Sequence, residues 1–200
     1  MSGPIEFWFD FSSAYAFFAA MGIDALGARV GRPVLWRPFM LGTAFRETGA
    51  RGLSTTPLKK DYARHDWARL ARAGGFDFRL PEGHPLIALA ATRAFYAIEE
   101  DSPAEAARFA RAVFERYYTA GLDTTSARAM GDFAATLGLD GDKVAAACES
   151  TPIKEKTKAL SEAAVARGVF GSPWFFVDGE PFWGHDRMAM MEDWIRTGGW

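Results

Sequence analysis

The sequence predicts an α/β fold in which a βαβ-αββα domain carries an inserted all-helical subdomain. Two short apolar stretches with a helical pattern between them lie before residue 39, and two more, joined by a tight turn, lie after residue 151. The long stretch between these regions shows helical patterns and no strand pattern. We therefore expect one domain from residues 1–38 and 151–200, and an inserted helical subdomain from residues 39–150.

The N-terminal region has the pattern of a βαβ unit. Residues 5–9 are apolar and aromatic, as in a central strand, and residues 13–27 are apolar on most faces, as in a buried helix. Residues 34–38 then resume a strand pattern. Two strands separated by a helical connection of this length predict a parallel pair with a right-handed crossover.

The middle of the chain opens with residues 39–57, which are rich in Gly and Thr and show no clear period, so we expect a long surface loop. Helical patterns then follow over residues 57–73, 86–99, 102–119, 125–137 and 140–149. Basic side chains recur from Arg46 through the first of these helices. They form either a solvated surface or a positive wall that attracts a carboxylate-bearing substrate.

The C-terminal region completes the predicted domain. A helix over residues 151–167 precedes an apolar strand at residues 174–177. Asp178-Gly179 is a strong signal for a two-residue hairpin turn, and residues 180–183 form the return strand. The proline in the return strand lacks an N–H group, which predicts an edge strand. A last helix is expected over residues 186–197.

Composition and charge exclude several classes of protein. The formal net charge is −2, which gives no reason to expect a nucleic acid or an anionic membrane as partner. No apolar run approaches the roughly 20 residues of a membrane span, and the first residues lack the basic start of a secretory signal. The single cysteine, Cys148, excludes an internal disulfide and a cysteine-based zinc site. It favours a buried structural thiol in a reducing cytoplasm.

Two serines lie where the first strand becomes the first helix. A helix N-terminus offers unpaired N–H groups and a partial positive charge, so it can hold an anion. Ser13 is therefore either an ordinary N-cap or a hydroxyl directed at a thiolate or carboxylate above the helix end. Ser12 is expected to be a cap or a local support.

Three motifs occur in order along the chain: Phe9-Asp10-Phe11-x-Ser13, Gly168-Val169-Phe170-Gly171-x-Pro173 and Phe182-Trp183-Gly184-His185-Asp186-Arg187. At this spacing the chain resembles the kappa-class glutathione transferase family, and most closely its 2-hydroxychromene-2-carboxylate isomerase branch. The resemblance spans nearly the whole chain and implies a thioredoxin-like fold. Ser13 and Ala16 stand at the two positions of the usual Cys-x-x-Cys pair.

The resemblance implies glutathione as the cofactor and no metal. Ser13 would donate a hydrogen bond to the glutathione sulfur, and Ser172, before a cis Pro173, would pair its backbone with the cysteinyl residue. The γ-glutamyl end would be held by Trp183, Gly184, His185 and Asp186. Alternatively, Asp186 is a plain N-cap, Ser172-Pro173 an ordinary trans turn and Trp183 a core residue.

On the substrate side, the resemblance places Arg46 and His84 at the carboxylate or phenolate of a small aromatic substrate. The implied activity converts 2-hydroxychromene-2-carboxylate to trans-o-hydroxybenzylidenepyruvate in aromatic catabolism, with the glutathione thiolate as nucleophile. The alternatives are a kappa-type transferase or peroxidase with other electrophiles, and a non-catalytic thioredoxin-like binding module. The family also implies a homodimer. Ala14, Ser172 and His185 depart from the proline, valine and asparagine expected of it.

Overall fold

The computed structural model describes residues 3–200 and contains a four-stranded sheet. Its strands are β1 (Ile5–Phe9), β2 (Val34–Pro38), β3 (Trp174–Val177) and β4 (Glu180–Trp183). β1 pairs parallel with β2 and antiparallel with β3, and β4 pairs antiparallel with β3, so the order is β2-β1-β3-β4. The predicted βαβ unit, the hairpin and the edge position of β4 are confirmed.

Within residues 3–200, ten α-helices surround and extend this sheet. They are α1 (Ala14–Ala20), α2 (Ile23–Val30), α3 (Leu41–Thr48), α4 (Lys59–Gly74), α5 (Leu89–Asp101), α6 (Pro103–Ala120), α7 (Ala127–Thr136), α8 (Gly141–Glu149), α9 (Thr151–Ala166) and α10 (Met188–Thr197). Two short 3₁₀ turns lie at Leu53–Thr55 and His185–Arg187. The architecture is α/β and thioredoxin-like, as predicted. None of the helices in the described range has both the length and the apolar character to cross a membrane.

The helix predicted over residues 13–27 is two helices. α1 ends at Ala20, where the Gly22 N–H bonds to the Ala19 carbonyl at 3.0 Å in a tight turn. Gly22 then serves as the N-cap of α2. The prediction was wrong here because the apolar pattern continues across the break, so periodicity alone does not reveal it.

The surface loop predicted over residues 39–57 is also wrong, since it contains α3 and the 3₁₀ turn at Leu53–Thr55. The N-cap residue of α3, Met40, makes no side-chain capping bond. The Leu41 N–H is instead satisfied by Asp10 Oδ2 at 2.9 Å. Because the capping group comes from a residue far earlier in the chain, the local sequence lacks the usual start signal of a helix.

β1 lies at the centre of the core and is buried on both faces. Phe9 and the following Phe11 pack against Phe114 of α6, with ring centroids 5.2 and 5.1 Å apart. On the opposite face, Trp8 packs against Phe39 at 6.4 Å. The end of β1 therefore lies where the sheet meets the helices inserted between β2 and α9. The division into two domains stays a prediction.

Candidate functional site

The first site residue is Ser13, which is the N-cap of α1. Its hydroxyl oxygen accepts a hydrogen bond from the Ala16 N–H at 3.3 Å, which confirms the capping prediction. The same hydroxyl donates to the Ser172 carbonyl oxygen at 2.8 Å. Ser13 is thus both a cap and a direct link to a loop far away in sequence.

The opposing loop contains Ser172 and Pro173, and the peptide bond between them is cis, as the resemblance implied. The Ser172 hydroxyl oxygen accepts the Asp10 N–H at 2.8 Å, and the Pro173 carbonyl accepts the Gly184 N–H at 3.1 Å. Sequence reasoning gave the Ser172 side chain no function, because its partner is distant along the chain. The structure shows that it anchors the cis-proline loop to the end of β1.

Ser12 supports the turn between β1 and α1. Its N–H and its hydroxyl both donate to Asp10 Oδ1, at 2.9 and 2.7 Å, so the prediction of a local support is confirmed. Burial raises the pKa of Asp10, while the hydrogen bonds from Ser12 and Leu41 act in the opposite direction. Sequence reasoning recognised Asp10 as part of a motif and missed these contacts.

The third part of the site is the segment from Trp183 to Arg187. Trp183 is 55% exposed and lies over Gly171, where an added Cβ would collide with the indole nitrogen. Gly184 has φ of 107°, and a Cβ there would lie 2.5 Å from Asp186 Oδ1. The positive φ therefore requires glycine at position 184, whereas a side chain at position 171 would displace the Trp183 indole.

Asp186 is not the N-cap of the last helix. It lies within the 3₁₀ turn, and α10 begins after it with no side-chain capping bond. Its carboxylate is exposed and 3.3 Å from the Arg187 guanidinium. Because this ion pair is exposed and the carboxylate caps no helix, Asp186 can also accept a hydrogen bond from a positively charged ligand group.

Tyr15, on α1, connects that helix to two other parts of the site. Its hydroxyl donates to Asp66 Oδ2 of α4 at 2.8 Å, and its ring stacks on His185 with centroids 6.2 Å apart. Burial lowers the pKa of His185, and the nearby Asp186 and Asp66 carboxylates oppose that effect. Tyr15 and Asp66 were not predicted as site residues, since nothing local in the sequence indicates their pairing.

His84 is half-buried, and hydrogen bonds engage both of its ring nitrogens. Nδ1 lies 2.9 Å from the Tyr117 hydroxyl, and Nε2 lies 3.0 Å from the Ser54 hydroxyl. The Leu86 N–H also donates to the Tyr117 hydroxyl oxygen, so Tyr117 links the His84 ring to the backbone that follows it. Burial, and secondarily the charge of Arg64, lowers the pKa of His84 to about 4, so the ring is neutral at pH 7.

Arg46 is exposed in the last turn of α3. The basic side chains that follow it on α4 are also exposed; they are Lys59, Lys60, Arg64, Arg69 and Arg72. Arg69 is paired with Asp66 at 2.9 Å. Arg46 therefore lies on a helix rather than on the predicted loop. The first N–H of that helix, from Leu41, donates to the buried Asp10 carboxylate.

Known proteins resemble this chain over nearly its whole length. A family model described as DSBA-like thioredoxin domain matches residues 4–196. A 2-hydroxychromene-2-carboxylate isomerase of Sphingobium xenophagum is 28% identical over 200 residues, covering 98% of this chain and 99% of that protein. Glutathione s-transferase kappa 2 of Caenorhabditis elegans is 24% identical, covering 96% of this chain and 91% of that protein. A solved structure of 2-hydroxychromene-2-carboxylate isomerase superposes with a TM-score of 0.87 at 24% identity, covering 96% of this chain and 94% of that one.

Proposed function

The chain belongs to the DSBA-like thioredoxin domain family, and on that premise we propose that it is a glutathione-dependent isomerase. The proposed reaction converts 2-hydroxychromene-2-carboxylate to trans-o-hydroxybenzylidenepyruvate. The observation that carries the proposal is the Ser13 hydroxyl at the start of α1, 2.8 Å from the carbonyl that precedes cis Pro173. The relatives named as isomerases support it, because they align over nearly the whole chain.

The site residues fit glutathione. A serine hydroxyl at a helix N-terminus favours a thiolate over a thiol. The backbone N–H and carbonyl of Ser172 can pair with the cysteinyl residue as in a one-residue β-bridge. The γ-glutamyl end would lie at Trp183, Gly184, His185 and Asp186, where the exposed Asp186 carboxylate suits an ammonium group. Ser13 and Ala16 stand at the two positions where related proteins carry a Cys-x-x-Cys pair. The N-terminal end of α1 therefore has no cysteine that could form a disulfide with glutathione.

When bound, glutathione would supply a thiolate for reversible addition to the conjugated double bond of the ring-opened substrate. Ring opening breaks the hemiketal C–O bond and passes the hydroxyl proton to the phenolate oxygen, so that rotation about the former double bond can precede elimination of the thiolate. Ser13 donates a hydrogen bond to the sulfur. Arg46 binds the substrate carboxylate or phenolate as the cation on the substrate side. His84 acts as a neutral group and holds the Ser54 hydroxyl on the substrate side through the contact of its Nε2 with that hydroxyl at 3.0 Å.

The direct test measures conversion of the chromene with and without glutathione. We expect turnover that requires glutathione and that falls at least tenfold in S13A. Equal rates with and without glutathione, or no conversion in either case, would contradict the proposal. S126A is the matched control, since Ser126 caps α7 through the same kind of hydrogen bond, from the Ala129 N–H.

A second candidate function is that of a kappa-type glutathione transferase. It is favoured by the alignment of glutathione s-transferase kappa 2 of Caenorhabditis elegans with 96% of this chain. Such an enzyme conjugates glutathione to other electrophiles and would use the same glutathione contacts. Turnover of a generic aryl halide is the discriminating measurement. A rate above that for the chromene would favour the transferase.

A cytoplasmic location and a homodimer complete the proposal. The buried free thiol of Cys148 is in keeping with a reducing compartment. The dimer is supported only by likeness to the kappa-class family. Light scattering coupled to gel filtration at micromolar concentration would measure the mass, and a mass of one chain would contradict the dimer.

A further inference from the structure

Asp10 is a buried carboxyl group to which the proposed function gives no task. It is 5% exposed, and its side chain accepts hydrogen bonds from Ser12 and from the Leu41 N–H. Its own N–H donates to Ser172 Oγ at 2.8 Å, and its carbonyl accepts the Ser13 N–H at 3.0 Å. One residue therefore contacts the turn before α1, the cis-proline loop and the first residue of α3.

The hydrogen bonds around Asp10 are those of an ionised carboxylate. A backbone N–H points at each side-chain oxygen, from Ser12 and from Leu41, and this favours the ionised form, whereas burial raises the pKa of Asp10 and opposes it. The other titratable groups that face it are the hydroxyls of Tyr117 and Tyr118 on α6. Within residues 3–200 no cationic side chain offsets its burial. A buried charge without a counter-ion disfavours a second negative charge nearby.

The start of α3 depends on the same carboxylate. A first-turn N–H group has no partner within its own helix, and Met40 supplies no side-chain cap. Asp10 Oδ2 accepts the Leu41 N–H at 2.9 Å and so performs the capping function from a distance. Arg46 lies one and a half turns further along this helix. Asp10 therefore connects the glutathione side of the site with the substrate side.

We propose, on the premise of the glutathione function above, that Asp10 is a positioning residue with two effects. It holds the Ser13 turn and the start of α3 in a fixed relation, and its buried negative charge limits how strongly the site stabilises a bound thiolate. The second effect has a chemical reason. A thiolate loses intrinsic nucleophilicity as the pKa of its thiol falls, and the best attacking thiol has a pKa near the ambient pH. Ser13 and the helix N-terminus lower that pKa, and Asp10 opposes them.

The charge effect can be tested on the unaltered protein, because coupling between two binding events is reciprocal. If the Asp10 charge opposes the thiolate, the thiolate must raise the pKa of Asp10 by an equal amount. The carboxyl carbon of Asp10 is followed by NMR against pH with saturating glutathione and with saturating S-methylglutathione, which has no ionisable thiol. We expect the Asp10 pKa to be higher with glutathione by about one unit, as for a close charge in a partly buried site. Thiolate absorbance is recorded over the same pH range, because only an ionised sulfur can shift the Asp10 pKa. Equal Asp10 pKa values over the range in which the sulfur is ionised would overturn the charge effect.

The positioning effect is tested without any ligand. In D10N the side chain offers one oxygen to two backbone donors, so either Ser12 or Leu41 loses its acceptor. We expect faster hydrogen exchange at the Ser12, Ser13 and Leu41 amides than in the unaltered chain.

L41P removes the Leu41 N–H at the first position of α3, where proline is tolerated, and keeps the Asp10 charge. L41A is its control for the lost side chain.

The expected result for L41P relative to L41A is a higher KM for the chromene with glutathione affinity unchanged, since only the start of α3 is released. Exchange rates in D10N equal to those of the unaltered chain, or KM values equal in L41P and L41A, would overturn the positioning effect. If neither glutathione nor S-methylglutathione binds, the proposed function and the charge effect both fail. The exchange measurement then still decides whether Asp10 positions the two segments, so the two failures are distinguishable.

Discussion

The Ser13 hydroxyl donates a hydrogen bond to the Ser172 carbonyl oxygen across 2.8 Å, although the two residues are 159 positions apart in the chain. This bond joins the start of α1 to the cis-proline loop and places the serine where a ligand backbone would pair with Ser172. The Ser13 proton is therefore engaged within the protein itself. A sulfur that takes this proton must do so as the cysteinyl N–H of the ligand takes over the Ser172 carbonyl.

S13A removes both the cap on the Ala16 N–H and the bond to Ser172. We expect a loss of about 1 kcal/mol in the free energy of unfolding, the usual loss for an N-cap serine. We also expect weaker glutathione binding, measured by titration calorimetry. S13T keeps the hydroxyl and should restore most of both quantities. Binding as weak in S13T as in S13A would show that the hydroxyl is not the group that matters.

S172V removes the acceptor of the Asp10 N–H and leaves a buried donor unpaired. The expected loss of stability is about 1–3 kcal/mol, measured by urea unfolding. S172T has nearly the same shape as valine and keeps the hydroxyl, so the difference between the two variants isolates the hydrogen bond. Equal stabilities of S172V and S172T would mean that the Asp10 N–H finds another partner.

G171A places a methyl group against the Trp183 indole. Because Trp183 is 55% exposed, it can rotate away, and we expect a stability change of no more than about 1 kcal/mol. The indole then leaves the proposed glutathione site, so the glutathione Kd should rise several-fold. G42A is the control, since an added Cβ there meets open space. A Kd unchanged in G171A would remove Trp183 from the site.

The lowered pKa of His84 makes the free energy of unfolding depend on pH in a defined direction. Its folded-state pKa is about 4, below the ordinary value of 6.5, so the unfolded chain binds the proton more readily. Stability therefore falls as the pH is lowered from about 6.5 to about 4 and loses nothing further from this group below that. Since the ring is partly exposed, we expect a loss of about 2 kcal/mol or less. Urea unfolding at pH 7 and pH 4.5 should show a smaller change in H84Q; an equal change would assign the effect to other groups.

Cys148 is expected to resist modification in the folded protein. Its thiol is fully buried and 3.6 Å from the Ala90 carbonyl, and burial raises its pKa to about 11. A thiol reagent at pH 8 should react at the rate of unfolding and rapidly in denaturant. Fast stoichiometric labelling of the native protein would contradict the burial.

Much of the fold follows from local pattern. The four strands, the Asp178-Gly179 turn and the start of α6 lie where periodicity and turn chemistry predict them. The break at Gly22 and the helix α3 were missed. In the first case the apolar pattern runs on through the turn, and in the second the capping carboxylate lies 31 residues away in sequence.

The sequence by itself determined the α/β class, the order of the strands and the identity of the motif residues around Ser13, Pro173 and Trp183. These depend on the side chains of neighbouring residues, which periodicity and turn propensity record directly. Only the tertiary structure decided which polar groups meet: Ser172 with Asp10, Tyr15 with Asp66, and His84 with Tyr117. A hydrogen bond has a range of about 3 Å, so its partners are chosen by how the chain packs, and no local pattern specifies them.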